Sequence, residues 1–161
     1  MKNSDTNKHV EKHQMRSNVD PNHSKENYMG LAAPHIEPDI NSPEAGRVAL
    51  TFFFNLMEHW GCTKEQQCTL LGAIGNTTYF KYKKLPVVRL PHDTLERISY
   101  LMGIHTSLRI LFSNQPGRVY DWVHKSNTAA PFNGQSALTY MLGGQVVDLA
   151  DVRRYLDGVR G

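Results

Sequence analysis

From residue 42 onward, apolar residues recur every three to four positions, and each run is bracketed by a start signal and a stop signal. That spacing is the α-helical period, and no stretch of any length alternates at the period of two that a half-buried strand requires. The pattern therefore predicts an all-α fold. Ser42-Pro43-Glu44 reads as an N-cap with proline at the first helical position. Val48, Ala49, Phe52, Phe53, Leu56 and Trp60 form one stripe and Gly61 ends it, giving a first helix over about 43–60. Thr63-Lys64-Glu65-Gln66 is a capping box that opens a short second helix, about 63–71, with Leu70 and Leu71 on its inner face. Gly72-Ala73-Ile74-Gly75 is a compact turn. Asn76 is placed to cap a third helix, Thr77 to about Lys84, which Pro86 stops.

Pro91 introduces the longest helix, about 93–112, and Asp93 with Glu96 reads as a second capping box. Leu95, Ile98, Leu101, Met102, Ile104, Leu108, Ile110, Leu111 and Phe112 make its wide apolar stripe. Asn114-Gln115-Pro116-Gly117 breaks it. Short helices are expected over about 118–125, 135–142 and 148–157, with Gly143-Gly144 as a helix end. Gln145-Val146-Val147-Asp148 is the one stretch expected to be briefly extended.

Residues 1–42 read differently. Lys, Asn, Asp, His and Ser dominate, and Val10, Met15, Val19, Tyr28 and Leu31 are too sparse to bury a face, so this segment is expected to be a disordered tail open to proteolysis. His9 and His13, four residues apart, are read as solvated rather than as metal ligands. Cys62 and Cys68 do not have a recurrent zinc spacing, and helical geometry is poor for a disulfide between them. They are read as small buried or half-buried apolar groups in a reducing compartment. The apolar runs fall far short of the ~20 residues that span a bilayer, and the N-terminus lacks an apolar signal core. The expected setting is the cytoplasm, at the nucleoid when DNA is bound, with no membrane partner.

The stretch from Trp60 to Tyr79 has the layout of a helix-turn-helix: a capped short helix, a tight glycine-containing turn and a second helix with a polar start. That start meets base edges when such a motif lies in the major groove. The net charge of +3 permits nucleic-acid binding without demanding it, so the location of the charge matters. Between Thr77 and Arg89 there are four basic residues and no acidic one, the densest basic segment of the chain. The candidate DNA-binding residues are Asn76, Thr77, Thr78, Lys81, Lys83, Lys84 and Arg89. Lys81 is placed for guanine or phosphate, and Lys83, Lys84 and Arg89 for phosphates. Tyr79 and Tyr82, three apart, are expected to pack inward and leave Phe80 nearer the surface. The competing reading is a solvated helix whose terminal lysines suit its macrodipole.

Catalysis finds no support. No Walker loop, dinucleotide fingerprint, zincin motif or nucleophile elbow is present, and His59, His92, His105 and His124 have no nucleophile-and-carboxylate constellation around them. Neither a catalytic residue, a metal nor a cofactor is expected.

Three stretches together resemble one family. They are the helix-turn-helix from Trp60 to Lys84, the long helix opening Asp93-Thr94-Leu95-Glu96-Arg97, and Pro131-Phe132-Asn133-Gly134-Gln135-Ser136-Ala137-Leu138 through Gly143-Gly144, closing with Val152-Arg153-Arg154-Tyr155-Leu156-Asp157. Over about residues 47–161 the chain resembles the Xre/MbcA/ParS-type antitoxins of bacterial toxin–antitoxin operons. In that family the third stretch reads F-x-G-x-S-P-L followed by a glycine, and Ala137 stands here where proline is usual. Alanine still suits the first turn of a helix.

The resemblance implies a protein partner, a RES-domain toxin that consumes NAD or transfers ADP-ribose from it. It also implies that the C-terminal segment blocks the toxin's active-site cleft. The residues carried over are Arg153, Tyr155, Leu156, Asp157, Arg160 and Gly161, with Arg160 beside the terminal carboxylate as a charge pair suited to a dinucleotide cleft. Operator DNA and a second copy of the chain, as a homodimer, are the other implied partners. The expected organisation is a tail over 1–42, a helix-turn-helix domain over 43–90 and a helical toxin-binding domain over 91–161. A stand-alone transcriptional regulator with a C-terminal dimerisation domain, and an adaptor without DNA affinity, are the other readings. Tyr120 and Trp122 are assigned to the core rather than to an interface.

Overall fold

Local caps explain where most helices begin in the computed structural model, which describes residues 39–161. The order is α1 (Pro43–His59), α2 (Lys64–Leu70), α3 (Asn76–Lys84), α4 (His92–Leu111), α5 (Pro116–Asp121), a 3₁₀ turn (Trp122–His124), α6 (Ala137–Met141) and α7 (Val146–Arg160). Among the described residues the only strand-like pairing is one isolated bridge, Ser126 with Ser136, so the fold is all-α as expected. The expected disordered tail lies outside the described residues up to position 38, as do His9 and His13. Positions 39–42 form a turn closed by the Ser42 amide on the Asp39 carbonyl.

Ser42 caps α1 through its hydroxyl, which accepts from the Ala45 amide at 3.1 Å. Thr63 and Gln66 form the full capping box of α2. Three other starts differ from the sequence expectation. Asn76 is not a cap: the turn spends two left-handed residues, Gly72 (φ +101°) and Ala73 (φ +56°), and Gly75 takes the N-cap position with no side-chain bond. Asp93 does not box α4, because its carboxylate is drawn to Arg97 Nε at 2.9 Å. Of residues 145–148 only Gln145 is extended (φ −83°, ψ 148°), as the N-cap of α7; Val146–Asp148 are its first turn. Asp148 accepts from the Gln145 amide at 2.9 Å, and this local bond starts α7 at Val146 despite two adjacent valines.

One core cluster runs through both halves. Leu50, Phe53, Met57 and Trp60 of α1 and its end meet Leu70 and Leu71, then Ile98, Leu101, Ile104 and Leu108 of α4, and finally Phe132, Met141, Leu149, Val152 and Leu156. Met102 and Ile110, expected on the buried stripe, are 42% and 52% exposed. The stripe of α4 is narrower than the run of apolar letters because α1 and α7 cover only part of its circumference. Trp122 and Tyr120 are half-buried against the cluster.

Two arginines tie distant segments together. Arg47 of α1 donates to the carbonyls of Tyr82 (3.0 Å) and Leu85 (2.8 Å), satisfying the open end of α3. Arg97 is 8% exposed and reaches from Asp93 to the Gly144 carbonyl at 3.1 Å, under the turn at Gly72. Burying that cation is tolerable because it is paired and hydrogen-bonded. No helix among the described residues is long and apolar enough to cross a membrane.

Candidate functional site

The helix-turn-helix is held at a fixed angle by Gln67. Its amide donates to the Cys62 carbonyl at 2.9 Å, and its oxygen accepts from the Tyr79 hydroxyl at 2.9 Å. Tyr79 and Tyr82 are each 5% exposed, so α3 cannot turn about its axis without unburying both. Burial raises the pKa of both phenols. The two inward tyrosines leave Asn76, Thr77, Phe80, Lys81 and Lys84 on the exposed side of α3, with Thr78 half-buried.

The basic residues divide by environment. Lys81 and Lys84 are exposed at the end of α3. Lys83 bends back, with its ammonium 4.4 Å from the Phe54 ring centre and 5.7 Å from that of Tyr79. It helps to hold α3 on α1 as well as carrying charge. Arg89 donates to the Asn41 carbonyl at 2.7 Å and pins the turn before α1. Lys64, at the start of α2, adds a cation that the sequence reading left out; its signal was its place at the first turn of the motif's leading helix.

The cysteines sit beside this motif. Cys62 is buried and Cys68 half-buried, both as free thiols, and burial pushes the Cys62 thiol up to about 11. A thiol held protonated is a packing group rather than a nucleophile. Among the described residues no cluster of three or more His, Cys, Asp or Glu is placed to hold a metal ion.

The second candidate surface lies on α7, which lies along α4 and buries Leu149, Val152 and Leu156. Leu156 is 1% exposed, so it cannot touch a partner while α7 stays docked; its part is to anchor the helix. Arg153, Asp157 and Arg160 come together on one flank. Asp157 accepts from Arg153 Nε at 2.8 Å and from the Ser107 hydroxyl at 3.3 Å, with Arg160 at 3.8 Å. The Arg153 hydrogen bond, first among these contacts, lowers the Asp157 pKa. Arg153 also packs across Gly103, where any side chain would strike its guanidinium.

Tyr155 faces the other flank. Its ring stacks on Trp122 (6.2 Å, 22°) and meets Phe132 edge-on at 4.9 Å. Beside it runs an open groove of about 510 Å³ lined by Ala130, Pro131, Asp151, Arg154, Tyr155, Gly158 and Val159. Arg154 pairs with Asp151 at 2.6 Å on the rim, and Val159 is 54% exposed. Asp151, Arg154, Gly158 and Val159 were outside the sequence-derived set, although the spacing 151, 154–155, 158–159 is one helical face. Arg160 and Gly161 are exposed at the tip.

The loop before α6 explains the F-x-G-x-S pattern. Phe132 is fully buried, Asn133 and Gly134 take left-handed backbone (φ +50° and +94°), and Ser136 caps α6 through the Thr139 amide at 3.1 Å. Ala137 is the first helical residue, the position where proline also fits.

Comparison with known proteins finds two family matches along the chain, which meet near residue 105 rather than near residue 90. Residues 39–103 match the family described as the antitoxin Xre-like helix-turn-helix domain. Residues 107–161 match the antitoxin Xre/MbcA/ParS C-terminal toxin-binding domain. The chain is also 43% identical over 122 residues to the uncharacterized protein y4oB of Sinorhizobium fredii (strain NBRC 101917 / NGR234), covering 74% of this chain and 92% of that protein.

Proposed function

The chain belongs to the Xre/MbcA/ParS antitoxin family, and from that premise we propose that it neutralises a RES-domain, NAD-consuming toxin and represses its own operon. The helix-turn-helix and the toxin-binding domain make it an antitoxin of a toxin–antitoxin pair. The identity of the toxin, the mode of inhibition and the repression are our reading. In it, the tip of α7 enters the toxin's active-site cleft and excludes the dinucleotide. Arg153, Tyr155, Asp157, Arg160 and Gly161 form or support the contact surface.

The observation that carries this reading is the contrast along α7. Its first three turns are fixed in the core by Leu149, Val152 and Leu156, whereas Val159, Arg160 and Gly161 stand exposed beyond them. A helix anchored at one end and bare at the other presents its tip without paying the entropy of ordering it on contact. In the same reading Asn76, Thr77, Thr78, Lys81, Lys83, Lys84 and Arg89 serve the operator, with a homodimer reading two half-sites.

The test is co-expression with the protein encoded by the gene next to this chain's own, scoring growth and cellular NAD. Full-length protein and a version lacking residues 158–161 are compared; the shorter one keeps every core residue of α7. Rescue by the full chain alone supports inhibition through the tip. Rescue by both overturns the tip mechanism, and rescue by neither overturns the RES-toxin assignment.

A further inference from the structure

The exposed side of α3 carries one side chain that its basic surroundings do not account for. Phe80 is 50% exposed. It lies three residues from Thr77 and four from Lys84, on the same face, with Lys81 beside it. Its ring meets the edge of Tyr79 (5.5 Å, 81°), and the Lys64 ammonium lies 5.9 Å from the ring centre. The Gln67–Tyr79 bond and the burial of Tyr79 and Tyr82 fix the rotation of α3, so Phe80 is held outward.

A large apolar group held outward on a face otherwise made of asparagine, threonine and lysine gains free energy if an apolar partner removes it from water. When the second helix of such a motif lies in the major groove, its first two turns face base edges. The apolar group displayed there is the C5-methyl of thymine. Lys64 and Lys81 flank the ring, and both suit the phosphates on either side of the groove.

We infer that Phe80 is a specificity-determining residue that packs on the 5-methyl group of one thymine in each operator half-site. This rests on the DNA-binding part of the function proposed above. A ring that served only to hold Lys64, or that was covered by a protein partner, would be indifferent to that methyl group.

The experiment selects duplexes from a random-sequence pool with the full chain. Each thymine of the selected duplex is then replaced in turn by deoxyuridine, which removes the methyl group and nothing else. Affinities are measured at fixed salt for the unaltered protein, Phe80→Ala, Phe80→Leu and the double variant Lys81→Ala/Lys84→Ala. Loss of one buried methyl should weaken the unaltered protein about fourfold at one thymine per half-site. Phe80→Ala should bind thymine and uracil duplexes alike, and Phe80→Leu should keep part of the discrimination. The inference is overturned if the unaltered protein is indifferent to every uracil, or if Phe80→Ala still discriminates. The two failures are separable. Salt-dependent binding that the double lysine variant weakens, with no uracil effect, removes Phe80 alone. Failure to enrich any duplex removes the DNA-binding reading and this inference with it.

Discussion

At Gly46, α1 passes so close to the backbone of Val88 that any side chain would collide with that residue's carbonyl oxygen. The Val88 amide bonds back to the Pro43 carbonyl at 3.1 Å, so the segment cannot drift away. In an isolated helix, Gly→Ala gains about 1 kcal/mol. Here the sign should reverse: Gly46→Ala should lower unfolding stability by about 1–3 kcal/mol, the usual cost of overpacking, as read by urea denaturation. A stabilised variant would mean that the crossing is looser than described. His105 makes a second prediction at this scale. Its ring lies 5.8 Å from that of Tyr120 and 5.9 Å from that of Phe52, with Nδ1 buried and without a hydrogen-bond partner among the described residues. Burial, then Arg109 and His59, lower its pKa from the usual 6.5. A lowered histidine binds its proton in the unfolded chain first, so stability is full above about pH 6.5 and is lost as pH falls through the native value. His105→Phe should flatten that loss, measured by denaturation at pH 7 and about pH 5.5. An unchanged slope would place the acid sensitivity elsewhere.

Elements show which features the sequence could reveal. Ser42, Thr63 with Gln66, and the Gly143-Gly144 stop were legible because their partners lie within a few residues. Arg47 and Arg97 were not, because the groups they satisfy are 35 to 47 residues away. The same limit hid the groove beside Tyr155, which needs Pro131 and α7 brought together. It also concealed that Leu156 faces inward: its neighbours Tyr155 and Asp157 belong to different flanks, and only the docking of α7 on α4 decides between them. Leu156→Ala should therefore cost about 2–5 kcal/mol of stability, the range for a truncated core leucine. Val159→Asp, at an exposed site, should change stability by less than about 0.5 kcal/mol yet weaken toxin neutralisation. Denaturation and the growth assay on the same two proteins separate anchor from contact. If Val159→Asp neutralises as well as the unaltered chain, the exposed face of α7 beside the groove is not the contact.

For the whole molecule, the question is whether the DNA-facing and partner-facing parts are independent. The sequence placed a domain boundary near residue 90, yet α4 carries core residues that meet α1 on one side and α7 on the other. Arg97, buried and inside the helix-turn-helix match, donates to the Gly144 carbonyl of the toxin-binding match. With so much shared packing, opening one part exposes apolar surface of the other, and that cost makes separate unfolding unfavourable. The two tryptophans report on the two parts: Trp60 is 1% exposed at the end of α1, and Trp122 is half-buried against Phe132 and Tyr155. Single-tryptophan variants, Trp60→Phe and Trp122→Phe, should each show fluorescence and far-ultraviolet dichroism transitions that coincide in denaturant. Helix content is spread over both parts, so in either variant a fluorescence midpoint displaced from the dichroism midpoint would reveal two units. Coincidence in both would mean that a toxin clamped on α7 stabilises the same folded state that presents α3. Binding at one end would then stabilise the other through folding alone, by mass action and without any change of shape.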